Sequence, residues 1–251
     1  MLWVLDLDGV VWLAGRPIPG SPEAIDKLQR AGHQVVFLTN NSGPTLEEYA
    51  ARLEAAGIHS HPDQLATSAQ AAAQLIEPGT KVLVIGDDGL REAVGQRKAE
   101  IIRAANGAGR PDAVIVGRTV DLDYRQLSVA ATAVRDGARF IATNSDPTFP
   151  TPEGLLPGAG ALVAFVSTAS GRQPEVAGKP HAPVVELVKQ RYGKPDVMVG
   201  DRADTDGAFA RAAGARFALV FSGSTSRYHL PVDPAPDLVA DDLNSVVQQL
   251  A

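Results

Sequence analysis

Short, unbroken apolar runs recur along this chain, each ended by Gly or small polar residues and followed by a stretch with helical signals. Leu2-Trp3-Val4-Leu5, Val35-Val36-Phe37-Leu38, Lys81 to Gly86, Ala113 to Gly117, Arg139 to Thr143, Asp196 to Val199 and Phe217 to Phe221 have the length of strands, not helices. They read as strands buried on both faces. Helical segments fall between them. One runs from Ser21, a natural N-cap with Pro22 at the first helical position, to Ala31 before Gly32. Thr45-Leu46-Glu47-Glu48 is a capping box for a second, ending at Ala56 before Gly57. Others span Gly89 to Gln96, Tyr124 to Asp136 and about Pro183 to Tyr192, with an alanine-rich one stopping at Gly214 and a last one ending at Leu250. Such alternation predicts an α/β fold with a Rossmann-like, doubly wound parallel sheet. In that architecture ligands sit beyond the carboxyl ends of the strands.

At 251 residues the chain suits one large domain or two modest ones, and 45% apolar with 21% charged residues is ordinary for a globular protein. A net charge of -6, with no Lys/Arg cluster, argues against nucleic acid and against an anionic membrane surface as partners. The absence of cysteine excludes disulfides, thiolate metal sites and thiol catalysis. The N-terminus lacks a basic segment and Asp6 interrupts its apolar run, so neither a signal peptide nor a membrane span is expected there, and a cytoplasmic location is.

Polar groups gather at the ends of three of the strands: Asp6 and Asp8, then Thr39 with Asn40 and Asn41, then Asp201 with Asp204 and Asp206. In a parallel sheet these ends share one rim. Two acids two residues apart can hold a hard cation through oxygen, or one can attack phosphorus while the other moves a proton; the plainer alternative is a pair of solvated turn acids. Thr39 and the backbone around Asn40 suit an anion, or simply cap the next helix. Lys179 enters from the loop before a helix and offers a point charge suited to phosphate. Carboxylates so close would repel unless a cation lay between them, and an all-oxygen set describes Mg2+. Asp204 is expected only to favour a helix N-terminus. His33, His59, His61, His181 and His229 show no metal spacing, Trp12 and Tyr124 read as packing residues, and no G-x-G-x-x-G follows the first strand. A Pro/Gly-rich loop from Asn144 to Gly160, holding Pro147, Pro150, Pro152 and Pro157, is long enough to be functional.

Asp6-Leu7-Asp8-Gly9, Phe37-Leu38-Thr39-Asn40-Asn41-Ser42, Gly178-Lys179-Pro180 and Gly200-Asp201-Arg202-Ala203-Asp204-Thr205-Asp206 stand in the order and spacing of the haloacid dehalogenase superfamily. Nearly the whole chain resembles its NagD-like branch of phosphoglycolate and 4-nitrophenyl phosphatases. The resemblance implies a Mg2+-dependent phosphatase of small phosphorylated metabolites, with phosphoglycolate, glycerol phosphate, a sugar phosphate or a nucleotide as candidate substrates. Asp6 would be the nucleophile forming an aspartyl-phosphate, and Asp8 the general acid and base. Thr39, Asn40, Asn41 and Lys179 would bind the phosphoryl group. The metal would be held by Asp6, the Asp8 backbone carbonyl and Asp201, with Asp206 orienting the metal's waters. The chain departs from the pattern at Gly207, where the family carries a bulky aliphatic residue.

The resemblance also divides the chain. Residues 1–77 and 178–251 would form the hydrolase core, and 78–177 an inserted α/β cap of the C2 type that selects the leaving group, with Asn144 to Pro150 as its substrate-facing loop. A second copy of the chain is the one protein partner considered. The rival readings are a metal-independent 2-haloacid dehalogenase using Asp6, which would need neither Mg2+ nor Asp8, and a non-catalytic module that binds phosphometabolites.

Overall fold

The computed structural model describes residues 1–13, 15–102, 110–151 and 154–251. Its first half opens with strand β1 (Leu2–Asp6), the small antiparallel ribbon β2 (Trp12–Leu13) and β3 (Arg16–Pro17), and helix α1 (Ser21–Arg30). Then come β4 (Gln34–Thr39), α2 (Leu46–Ala55), β5 (Leu65–Thr67) and α3 (Ser68–Gln74). A second series follows: β6 (Lys81–Ile85), α4 (Asp88–Gln96), β7 (Glu100–Ile102), β8 (Ala113–Val116), α5 (Tyr124–Arg135) and β9 (Arg139–Ala142). The hairpin β10 (Thr148–Thr151) and β11 (Gly154–Pro157) leads to α6 (Ala159–Ser170) and β12 (Glu175–Val176). The chain closes with α7 (Ala182–Tyr192), β13 (Val197–Gly200), α8 (Ala208–Ala213), β14 (Arg216–Val220), β15 (Leu238–Ala240) and α9 (Leu243–Leu250).

Two parallel sheets result. The larger has the order β15-β14-β13-β1-β4-β5, and the smaller β12-β9-β8-β6-β7. The doubly wound α/β architecture expected from the apolar runs is therefore present. Alternation along β1 sorts its side chains between two layers. Trp3 and Leu5 pack with Phe37, Ile25, Tyr49, Leu53 and Val246 beneath α1, α2 and α9. Leu2 and Val4 face the opposite layer, which holds α3, α7 and α8 and continues into Val82, Val84, Ile115 and Ile141 of the smaller sheet. One apolar cluster thus runs from a face of the large sheet to a face of the small one. The small sheet's other face carries Leu83, Ile85, Val114 and Val116 under α5 and α6. No helix among the described residues is long and apolar enough to cross a membrane.

Several local expectations change. Gly20, at φ +84°, takes the N-cap of α1, and Ser21 is instead buried, donating its hydroxyl to the Val10 carbonyl at 2.8 Å. The Asn144–Gly160 loop contains the β10–β11 hairpin, and α6 starts at Ala159; Pro152 lies outside the described residues. Pro150 and Pro157 fit there because both strands of a two-stranded ribbon are edges. The α2 capping box forms as expected, Thr45 and Glu48 exchanging side-chain-to-backbone hydrogen bonds.

Gly207 has a packing explanation. A Cβ there would lie 2.8 Å from the edge of the buried Phe217 ring and 3.0 Å from Pro234, so the aromatic ring fills the space a larger residue would need. Gly207→Leu should therefore destabilise the fold by about 1–3 kcal/mol through overpacking, read as a lower urea midpoint at unchanged slope.

Candidate active site

The carboxyl ends of β1, β4 and β13 meet at one rim, with Asp6 beside Leu38 in register and Gly200 beside Leu219. A cavity of about 190 Å3 opens there, and Asp6, Asp8, Thr39, Asn40, Asn41, Lys179 and Asp201 all line it. Chemical groups separated by nearly the whole sequence are brought together because every strand carrying them runs the same way.

Lys179 occupies the centre. Its side chain is 2% exposed, and its Nζ lies 2.8 Å from Asp6 Oδ1 and 2.6 Å from Asp206 Oδ1, with the Leu38 carbonyl at 3.4 Å. Asp6 Oδ1 also accepts the Leu7 N–H at 2.8 Å, while Oδ2 has no hydrogen-bond partner among the described residues. Both Asp206 oxygens are engaged, Oδ1 by Lys179 and Oδ2 by the Arg202 N–H at 3.1 Å. Asp201 Oδ2 accepts the Ser224 N–H at 2.5 Å. Backbone must come close to seat these acids: Gly9, at φ +86°, would place a Cβ 2.6 Å from the Asp201 carboxylate, and Gly223 touches the same group.

Burial governs the electrostatics. It holds the Asp6 carboxyl well above the ordinary carboxylate range, against the Lys179 charge, with Asp206 and Asp201 adding to the rise. Burial, then the neighbouring Asp206, also raises Asp201, although Ser224 opposes this. Asp8 is pushed up to about 6 by burial, partly countered by a hydrogen bond from the Trp12 indole N–H to Oδ1 at 3.2 Å. For Lys179 burial works against the charged form, but Asp206 and Asp6 outweigh it and the ammonium is held more firmly than usual.

The arrangement fits a divalent cation. Oxygens of Asp6, Asp201 and Asp206 can all lie within 4.8 Å of one another, and the set is hard and oxygen-only. With Asp8 adjacent, four carboxylates face the single ammonium of Lys179, an excess of negative charge that Mg2+ would neutralise. Asp206, already bonded through both oxygens, is the member of the trio with least capacity for a metal. Asp204 turns away to a two-contact ion pair with Arg202, which lowers its pKa.

Asn40 and Asn41 line the cavity with their side chains engaged elsewhere. Asn40 Nδ2 donates to Asp146 Oδ2 at 2.9 Å and to the Lys179 carbonyl at 3.2 Å, and its Oδ1 accepts the Lys179 N–H at 2.8 Å. Asn41 Oδ1 accepts the Gly43 N–H, and its own N–H goes to Thr39 Oγ1 at 3.0 Å. The roof comes from Arg118, Asp146, Thr148, Phe149 and Pro150, with the Arg118 guanidinium 4.2 Å from the Phe149 ring centre. Asp146, Thr148, Phe149 and Pro150 belong to the Asn144–Pro150 loop expected to face substrate, whereas nothing in the sequence marks Arg118. Arg202 stood within a recognised motif without a role. Trp12, read as packing, both stacks on Tyr49 and donates to Asp8. His181, at the start of α7, makes no side-chain cap bond, and burial lowers its pKa.

Removing the central cation should expose the cost of these buried acids. Lys179→Met should lose about 3–5 kcal/mol of stability in EDTA, because Asp206 is left without its counter-charge, and added Mg2+ should recover part of the loss. Thermal unfolding with and without metal checks this.

Comparison with known proteins agrees with the geometry. A family profile described as haloacid dehalogenase-like hydrolase matches residues 3–100, and one described as HAD-hydrolase-like matches residues 176–246. The chain is 37% identical to D-glycerol 3-phosphate phosphatase of Mycobacterium tuberculosis over 98% of its own length and 70% of that protein. It is 34% identical to acid sugar phosphatase of Staphylococcus haemolyticus, covering 99% and 95% of the two chains. The solved structure of the M. tuberculosis glycerol phosphate phosphatase in complex with magnesium superposes with a TM-score of 0.91 at 34% identity, over 100% of this chain and 78% of that one. With four ordered motifs converging on one rim and both profiles matching the segments that carry them, the chain belongs to the haloacid dehalogenase-like hydrolase family.

Proposed function

We propose that this chain is a Mg2+-dependent phosphatase of small phosphomonoesters that works through Asp6. The observation that carries the reading is the buried Lys179 ammonium, shared at 2.8 and 2.6 Å between Asp6 and Asp206 at the mouth of β1. It fixes one oxygen of Asp6 and leaves the other for attack. In the first step Asp6 Oδ2 bonds to phosphorus while the bond to the ester oxygen breaks, and Asp8 in its acid form gives its proton to the departing alkoxide. In the second step Asp8, now a carboxylate, takes a proton from water, the water oxygen bonds to phosphorus, and inorganic phosphate leaves as the Asp6 carboxylate is restored. Burial, by raising Asp8, favours the acid form that the first step needs.

Lys179 and the Thr39 hydroxyl face the equatorial oxygens, where phosphoryl transfer is helped chiefly by positioning and charge neutralisation. Mg2+, held by Asp6, Asp201 and the Asp8 carbonyl, would supply further neutralisation there. Asp206 serves by holding Lys179 and the Arg202 N–H. Asn40 and Asn41 shape the phosphate loop.

We place the catalytic core in residues 1–77 and 178–251 and the cap in 78–177. The smaller sheet supports this division: strands β6 to β9 belong to the cap, and β12 leads straight into Gly178-Lys179. A roof of Arg118, Phe149 and Pro150 over a cavity of about 190 Å3 suits a small leaving group. The relatives' names point to glycerol phosphate and sugar phosphates as the first substrates to test.

A screen of phosphorylated metabolites with Mg2+, followed by kcat/KM on each hit, tests the reading. Asp6→Asn should abolish phosphate release, and EDTA should do the same reversibly. Asp8→Asn should lower kcat by about 10²–10⁴-fold, with the larger loss on substrates whose leaving alcohol is most basic. Full activity in Asp6→Asn, or in EDTA, would overturn the proposal, and metal-independent halide release from a 2-haloacid would replace it.

A further inference from the structure

Asp146 stands on the cap side of the site, and its carboxylate is committed to two loops on the core side. Oδ1 accepts from Arg202 at 3.0 Å and Oδ2 accepts from Asn40 Nδ2 at 2.9 Å. Its backbone is pinned from the other direction. The Asp146 N–H donates to Asn144 Oδ1 at 3.1 Å, and its carbonyl accepts the Gly160 N–H at 2.9 Å in the first turn of α6. Gly158 packs so closely on that carbonyl that a Cβ there would collide with it. An anchored backbone with both carboxylate oxygens engaged can set the position of what it holds.

What it holds leads directly to the reacting groups. Asn40 brackets Lys179 through both backbone groups, accepting its N–H at 2.8 Å and donating to its carbonyl at 3.2 Å. The Lys179 ammonium in turn grips Asp6 and Asp206. On the other branch, the Arg202 N–H binds Asp206 Oδ2, and Arg202 directly follows Asp201. Asn144 adds a third tie, donating from Nδ2 to the Asn40 carbonyl at 2.6 Å.

We propose that Asp146 is a positioning residue. Through Asn40 and Arg202 it sets the register of Lys179 and of the Asp201–Asp206 loop, so that the site is fully assembled only when the Asn144–Pro147 segment is seated. This inference rests on the phosphatase reading for its kinetic readout, but not for its metal-binding one. The pairing is more than a surface ion bridge, because the Asp146 side chain is 19% exposed and half of its bonding goes to a neutral amide that salt would not screen.

The test uses the full chain as wild type, Asp146→Ala, Asn40→Ala and the double variant. It measures turnover of 4-nitrophenyl phosphate with Mg2+, calorimetric binding of Mg2+ alone, and thermal unfolding. Asp146→Ala should lower kcat by about 10–100-fold and weaken Mg2+ binding by a similar order, as loss of a partner behind a metal site does. KM should stay within about threefold, since Asp146 does not bind substrate in this scheme. The double variant should lose clearly less than the product of the two single losses, because the Asn40 branch is shared while the Arg202 branch is broken by Asp146→Ala alone.

Four results would overturn the proposal. They are unchanged kcat and Mg2+ affinity in Asp146→Ala; a raised KM at unchanged kcat, which would make Asp146 a reader of the leaving group; fully additive losses in the double variant; and a loss of kcat that follows the melting temperature while Mg2+ binding is intact. Wild type that releases no phosphate from any ester while Asp146→Ala still weakens Mg2+ binding would remove the phosphatase reading and keep the positioning role. Active wild type with an indifferent Asp146→Ala would do the reverse.

Discussion

The buried ammonium of Lys179 is the contact on which the site depends. Three acids at the ends of two strands, Asp6, Asp201 and Asp206, could not be packed this tightly without a cation among them. Lys179 supplies one from inside the protein and leaves room for a second from solution. Its partners divide the work by how their oxygens are used. Asp206 spends both on protein donors and acts as a fixed counter-charge, whereas Asp6 has one oxygen with no hydrogen-bond partner among the described residues. The same crowding explains why Gly9 and Gly223 press against Asp201: backbone approaches where no side chain would fit.

That centre is tied to the rest of the molecule by two different kinds of contact. Apolar packing is continuous from the large sheet through α3 to the small one, so the two sheets are joined by the hydrophobic effect. Polar contacts then set the register at the site, with Gly89 donating to the Gly43 carbonyl at 2.8 Å and Asp146 reaching Asn40 and Arg202. Packing gives the bulk attachment, which is non-directional. Hydrogen bonds, which are directional, fix the register at the cavity that Phe149 and Arg118 line together with Thr39, Asn40 and Asn41.

Legibility in the sequence followed the range of the signal. Val35 to Leu38, Ala113 to Val116 and Phe217 to Val220 were readable as strands because burial on both faces leaves no polar residue in the run. Thr45 and Glu48 were readable as a cap because three residues suffice to make it. Helix α6 is not legible in the sequence: its run from Ala159 to Ser170 has little polar face to mark a helical period, and the prolines before it are loop signals. Helix α3 is short and alanine-rich, wedged between β5 and the small sheet, and its strength lies in contacts remote in sequence. Ser21 has the composition of an N-cap, but a buried carbonyl at Val10 offered its hydroxyl another partner.

By itself the sequence determined the parallel architecture and the identity of the acids, because apolar run length and motif order are local properties of the chain. Asp6, Asp8, Lys179 and Asp201 stand out in the sequence by motif, and all line one cavity. Only the tertiary structure decided how those groups are partnered. Whether Asn40 reaches outward or holds Lys179, whether Trp12 merely packs or donates to Asp8, and whether Asp146 and Arg202 matter at all depends on distances between loops far apart in sequence. A hydrogen bond is made or lost over a few tenths of an ångström, and that precision belongs to the packed fold and not to residue order.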